Sequence, residues 1–245
     1  MDEIELAVED LSVGYGAAAI VKSVNLQVRS GELVVIVGPN GSGKSTMMKG
    51  IAGVLPAMGV KVSLKGPRAC ELTGRPPQQS IRFGVGYVPQ HSNVFPSLSV
   101  EENLRLGAYI NRKAVKQKLS EAYELFPDLA SARRRAARTL SGGQRGMLAL
   151  GRALMASPVV MLVDEPTAGL SPKYRQVVWE QLQLLRQTGV ALLVVEQNTR
   201  AALEIGDRGY VLVAGQVQKH GKCKELLADE ELIRLYIGAQ RSVAG

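Results

Sequence analysis

Cysteine, histidine and aromatic residues are all scarce in this sequence, and it has no long hydrophobic run. The two cysteines, Cys70 and Cys223, lie far apart and outside any CxxC spacing. That argues against both a disulfide framework and a zinc site, and fits a reducing cytosol. The longest apolar runs, Val159 to Val163 and Val190 to Val195, fall far short of the roughly 18 residues a membrane-spanning helix needs. Any membrane role is therefore expected to go through a partner. Met1-Asp2-Glu3-Ile4-Glu5 is acidic, with no basic region leading into an apolar stretch, so no secretory signal is expected. Internal repeats are also lacking, which sets solenoid architectures aside.

What is present is an ordinary globular composition. Aromatics are sparse at 4%, but 46% apolar and 21% charged residues argue against extended disorder. A chain of 245 residues can bury a sizeable core as one large domain, or as one domain carrying an inserted subdomain. The net charge of +8 suits nucleic acid, an anionic membrane face or nucleotide phosphates without choosing among them. Its densest basic run, Arg133-Arg134-Arg135 with Arg138, reads as a solvated helix face.

Periodicity divides the chain. Ile4, Leu6 and Val8, then Val24, Leu26 and Val28, then Val60, Val62 and Leu64 alternate with polar residues, predicting half-buried strands of an antiparallel sheet. Leu33 to Val37, Val159 to Val163 and Val190 to Val195 do not alternate. Such runs belong to parallel strands covered on both faces, and the three are expected to be neighbours in one central sheet. From Ser99 to about Arg138 the pattern is helical, interrupted at Pro127, and opens on Ser99-Val100-Glu101-Glu102, a capping-box spacing. This stretch is expected to be an inserted helical subdomain bounded by Gln90 and Leu140. A helix is predicted from about Pro172 to Thr188, with Val178, Leu182 and Leu185 on one stripe and a stop at Gly189. A hairpin is predicted over Tyr210 to Val217, followed by a small helical tail.

Chemistry enters with Gly38-Pro39-Asn40-Gly41-Ser42-Gly43-Lys44-Ser45-Thr46, which fits G-x-x-x-x-G-K-[ST] and directly follows the Leu33 to Val37 strand. Glycines let the backbone wrap around phosphates, and amides at the next helix N-terminus bind anionic oxygens. Lys44 adds positive charge near the β- and γ-phosphates, and the Ser45 hydroxyl can ligate Mg²⁺. After the Val159 to Val163 strand come Asp164 and Glu165. Taken alone, such a pair reads as a helix cap or loop charge. Beside a phosphate loop, Asp164 becomes a metal ligand and Glu165 a group that polarises attacking water. Ligands of open parallel sheets bind at the carboxyl ends of strands, so Lys44, Asp164, Glu165 and Gln197 should converge on one rim.

Leu140-Ser141-Gly142-Gly143-Gln144, shortly before the Asp164 strand, narrows the field. By itself it could be an ordinary serine-capped helix start. In this order and spacing it resembles the signature of the ABC ATPases, and the resemblance extends over nearly the whole chain. The fold it implies is a P-loop NTPase cassette of the α/β class, with a central mainly parallel sheet, an N-terminal antiparallel β subdomain and an inserted α-helical subdomain. Residues 1–90 and 139–245 would form the nucleotide-binding core and 91–138 the insert. By the same resemblance, Tyr15 stacks on adenine, Gln90 is the Q-loop glutamine that contacts Mg²⁺ or water, and Ala168-Gly169-Leu170-Ser171 occupies the D-loop. Ser141, Gly142, Gly143 and Gln144 would bind the γ-phosphate of ATP held by the opposite subunit.

Gln197 stands where most ABC ATPases carry a histidine. Glutamine can donate an amide hydrogen bond but cannot become a cation, and neither His91 nor His220 occupies that position. The string Val195-Glu196-Gln197-Asn198 is similar to that of the LivF-type ATPases of branched-chain amino acid importers. Pro76-Pro77, Tyr123-Glu124-Leu125-Phe126-Pro127 and Met147 to Leu154 fit the same group. The resemblance implies ATP and Mg²⁺ as cofactors. It also implies membrane permeases, a paralogous ATPase or a second copy, and indirectly a solute-binding protein as partners, with a peripheral location on the cytoplasmic membrane face. Importers of urea, amides or other amino acids use similar subunits. Two other readings stay open: a soluble ABC ATPase acting on nucleic acid or ribosomes, and a regulatory cassette that binds ATP without hydrolysing it.

Overall fold

Alternation in the sequence becomes a two-faced sheet. The computed structural model describes residues 4–16, 18–58, 61–91 and 93–232. Strands β1 (Glu5–Tyr15) and β2 (Ala18–Arg29) run antiparallel, with Leu6 opposite Val28 and Val8 opposite Leu26. Val24, Leu26 and Val28 are buried while Asn25 and Gln27 between them are exposed, which is the period of two that a half-covered strand requires. After β3 (Leu33–Val37) and helix α1 (Lys44–Ile51), strands β4 (Ala57–Met58), β5 (Lys61–Lys65) and β6 (Cys70–Glu71) complete this sheet in the order β2-β1-β5-β6, with β4 also on β1. Cys70 and Cys223 are both free.

The second sheet contains the non-alternating runs. Helix α2 (Pro77–Arg82) leads into β7 (Val85–Val88); β8 (Val160–Asp164), β9 (Ala191–Val195), β10 (Arg208–Val213) and β11 (Gln216–Lys222) follow. Their order is β11-β10-β3-β9-β8-β7, so the three runs are adjacent, and all neighbours are parallel except the β10–β11 hairpin. All residues of β3, β8 and β9 are buried. Val34 and Ile36 pack with α1 and the antiparallel sheet, while Leu33, Val35 and Val37 pack toward the remaining helices. Two apolar faces explain why no alternation is visible in the sequence.

Between β7 and β8 lie α3 (Val100–Gly107), α4 (Val115–Leu125), α5 (Pro127–Ser131) and α6 (Gly142–Leu154). Pro127 takes the first turn of α5, where its missing N–H costs nothing. The capping box at α3 is complete: Glu102 N–H donates to Ser99 Oγ and Ser99 N–H to the Glu102 carboxylate. Ser99→Ala is expected to cost about 1 kcal/mol, lowering Tm by roughly 2–4 °C in a thermal melt.

The arginine run departs from expectation. Helix α5 stops at Ser131, and Arg133 to Arg135 form an exposed turn rather than a helix face. Their carbonyls are taken by α3: Val100 N–H donates to Arg135 O and Glu101 N–H to Arg133 O, both at 3.0 Å. Ala136 then bridges to Ser99. A continued helix would have spent those carbonyls internally and left the first amides of α3 unsatisfied.

Helix α7 (Pro172–Gln187) buries Val178, Trp179, Leu182 and Leu185, the predicted stripe with one tryptophan added. α8 (Thr199–Ile205), α9 (Cys223–Leu227) and α10 (Glu230–Leu232) complete the described chain. The rest of the predicted tail, Val60 and the acidic Met1 to Glu3 lie outside the described residues. Among the described residues, no helix is long and apolar enough to cross a membrane.

Candidate active site

The carboxyl ends of β3, β8 and β9 are aligned by register, with Ile36 paired to Val195 and Val195 to Asp164. Everything that follows these three strands therefore emerges on one rim. From β3 the chain turns at Gly38, where a Cβ would lie 2.0 Å from the Leu212 carbonyl oxygen, and passes Pro39, Asn40, Gly41 (φ 77) and Ser42 to Gly43. Gly43 caps α1 in the left-handed region (φ 99), a conformation glycine adopts without penalty. Lys44 is buried and folds back, its Nζ donating to Gly38 O at 2.9 Å and Pro39 O at 3.0 Å. Burial pushes its pKa down, opposed by the carboxylates of Glu165 and Asp164. Among the described residues Ser42 Oγ is buried without a hydrogen-bond partner. Asn40, Lys44, Ser45, Thr46, Glu165 and Gln197 share a cleft of about 290 Å³.

Ser45 Oγ donates to Asp164 Oδ1 at 3.0 Å. A hydroxyl and a carboxylate oxygen this close form a hard-donor pair of the kind Mg²⁺ takes beside substrate phosphates, so the residues present fit that ion. Burial raises the Asp164 pKa and, with the Asp164 charge added, that of Glu165. Glu165 sits at φ 47, its N–H bonded to Val195 O at 2.9 Å, and its Oε2 accepts from Gln90 Nε2 at 2.6 Å. Gln90, at the end of the β7 segment, is thus brought onto the same carboxylate. Tyr15 is 52% exposed at the end of β1, open to a planar ligand.

Ser141 caps α6, with Gln144 N–H donating to Ser141 Oγ and Ser141 N–H to Gln144 Oε1. None of Ser141 to Gln144 lines the phosphate cleft of its own chain. Gly142 instead lines a neighbouring groove of about 380 Å³ that reaches Gln90, Asp164 and Glu165 as well as Ala168, Gly169 and Leu170. Sequence reasoning missed what holds the signature: a Cβ on Gly143 would lie 2.3 Å from Tyr174 Cδ1 in α7. Gly143→Ala is expected to push α6 off α7 at a cost of about 1–3 kcal/mol, read as a lowered denaturation midpoint. It also overlooked Glu196 and Thr167, both buried on this rim. An acidic residue directly ending an apolar strand was the available signal for Glu196, the same one that marks Asp164-Glu165.

A phosphate loop and an acidic strand end on one rim of a parallel sheet, with a serine-capped Gly-Gly helix start outside the phosphate-loop cleft, define an ATP-binding cassette. The family described as "ABC transporter" matches residues 21–168, and the chain belongs to it. The chain is accordingly an ABC-type ATPase. It is 40% identical, over 93% of its length and 96% of the relative, to "Probable branched-chain amino acid transport ATP-binding protein LivF" of Archaeoglobus fulgidus. It is also 37% identical, over 95% of its length and 99% of the relative, to "High-affinity branched-chain amino acid transport ATP-binding protein BraG" of Pseudomonas aeruginosa. Among solved structures it is similar to the ADP conformation of an ATP-binding cassette of an ABC transporter, with TM-score 0.82, 28% identity and coverage of 97% of this chain and 100% of that one.

Proposed function

We propose that this ATPase powers the import of branched-chain amino acids, working on the cytoplasmic face of the membrane against two permeases fed by a solute-binding protein. The observation that carries the cargo is the 40% identity, over nearly the full length of both chains, to a relative whose name gives that transport. The geometry supports a division of labour. Lys44 and the backbone N–H groups of Gly38 and of Asn40 to Thr46 hold the β- and γ-phosphates, and Tyr15 lies against adenine. Ser45, Asp164 and Gln90 hold Mg²⁺, which when bound supplies Lewis-acid neutralisation of phosphate oxygens. Glu165 takes the proton of an attacking water or orients it. Gln90 occupies only its Oε2, and a carboxylate retains acceptor capacity on the other oxygen. Gln197 donates a neutral hydrogen bond to the γ-phosphate.

Ser141, Gly142, Gly143 and Gln144 then serve the nucleotide of an opposed cassette, a paralogue or a second copy, by presenting helix N-terminal amides to its γ-phosphate. Their place outside the cleft that Lys44 and Thr46 line supports that reading. Residues 91–138 act as the insert and 1–90 with 139–245 as the core. The test is phosphate release by the transporter reconstituted with its permeases and second cassette in proteoliposomes. Leucine-, isoleucine- or valine-loaded binding protein should stimulate it. Stimulation by urea or an amide alone, or by no solute, overturns the cargo.

A further inference from the structure

We propose that Glu196 is a positioning residue for hydrolysis, its carboxylate fastening the turn after Asp164-Glu165 to the turn that carries Gln197. This rests on the site reading above, in which both turns face the γ-phosphate. Glu196 follows β9 directly and is 1% exposed, its own N–H fixed to Ile36 O at 3.1 Å. Oε1 accepts from Thr167 N–H at 3.0 Å and from Thr167 Oγ at 2.7 Å. Oε2 accepts from Gln197 N–H at 3.1 Å, and the Asn198 amide adds a further donor. The Gln197 backbone is held from its other side as well, where Thr199 N–H donates to its carbonyl at 2.8 Å. Glu165 N–H in turn bonds to Val195 O. One buried carboxylate thus closes a circuit between the stretch carrying the water-polarising group and the stretch carrying the phosphate donor.

Every donor to Glu196 is a neutral amide or hydroxyl, and burial holds its pKa above the usual carboxylate range. A buried acid so placed is costly if its only job is to fill space, since apolar side chains pack such volumes without a desolvation penalty. What the carboxylate supplies is acceptors on both oxygens and no donor. Glutamine of the same volume can satisfy Thr167 through its carbonyl, but it then points an NH₂ at the Gln197 N–H, donor against donor. The charge of Glu196 also acts on Lys44 and Glu165, which places the carboxylate within the electrostatic reach of the reacting groups.

The experiment measures MgATP turnover in the assembled transporter. Glu196→Gln should lower kcat by roughly tenfold to a hundredfold, as expected when reacting groups lose registration, with KM for ATP changed by less than about threefold. Thr167→Val should reproduce the defect, Thr167→Ser should restore the rate, and the double variant E196Q/T167V should be no slower than E196Q alone. If E196Q fails to fold, the two Thr167 variants decide. A wild-type kcat in E196Q or in T167V, or defects that multiply in the double variant, overturns the proposal. Glu165→Gln is the control: normal turnover there sinks the site reading itself, whereas an inactive E165Q beside a fully active E196Q removes only the role of Glu196.

Discussion

Glu165→Gln should lower steady-state ATP turnover by about two to four orders of magnitude, the contribution of a positioned general base, while leaving ATP binding intact. The substitution keeps side-chain volume and can still accept from Gln90, so the 2.6 Å contact that orients the side chain has a substitute. It removes the one property a backbone or hydroxyl neighbour cannot replace, the capacity to take a proton. Burial and the adjacent Asp164 raise the pKa of Glu165, which makes it a stronger base than an exposed carboxylate once ionised. With nucleotide bound and hydrolysis stopped, two cassettes should remain closed on ATP. Size-exclusion chromatography in MgATP should then show a lasting dimer, and single-turnover phosphate release should be near background. Wild-type turnover would remove Glu165 from the chemistry.

Lys44→Ala is expected to act earlier, at binding. Each charge-assisted hydrogen bond to phosphate is worth about 1.5–3 kcal/mol, so losing the ammonium should weaken ATP binding on the order of a hundredfold. The apo protein should be affected far less. Burial lowers the Lys44 pKa, which shows that the folded chain disfavours the charged form there, and removing the charge relieves that cost while leaving two loop carbonyls short of a donor. Thermal melts should therefore give similar apo Tm values for variant and wild type, with the stabilisation by MgATP lost in the variant alone. An unchanged ATP-dependent shift would contradict the placement of Lys44 against phosphate.

Local pattern accounts for what the sequence made legible. The buried strands β3, β8 and β9 were visible because burial on both faces leaves a contiguous aliphatic run, and the β2 strand because burial on one face leaves alternation. Ser99 and Ser141 declared their helix starts because a capping box is complete within four residues. Three of the misses involve partners distant in the chain. The arginine turn is set by amides of α3 more than thirty positions upstream, Gly143 by the ring of Tyr174 on another helix, and Glu196 by Thr167, 29 residues away. Helical periodicity at Arg133 to Arg135 was a sound local preference that tertiary hydrogen bonding overrode.

The bridge between Ser99 and Ala136, with the two amide bonds beside it, fastens the helical segment to itself at its neck. Entry and exit held together make that stretch an appendage on a clasp. Because the entropic cost of closing a loop rises only slowly with its length, the exposed link Asn111 to Lys113 between α3 and α4 can lengthen without loosening the clasp, whereas Leu119, Phe126 and Leu129 are buried in the core and hold α4 and α5 in place. Variation in that link would reshape the outer end of the appendage and leave the sheet beneath it undisturbed.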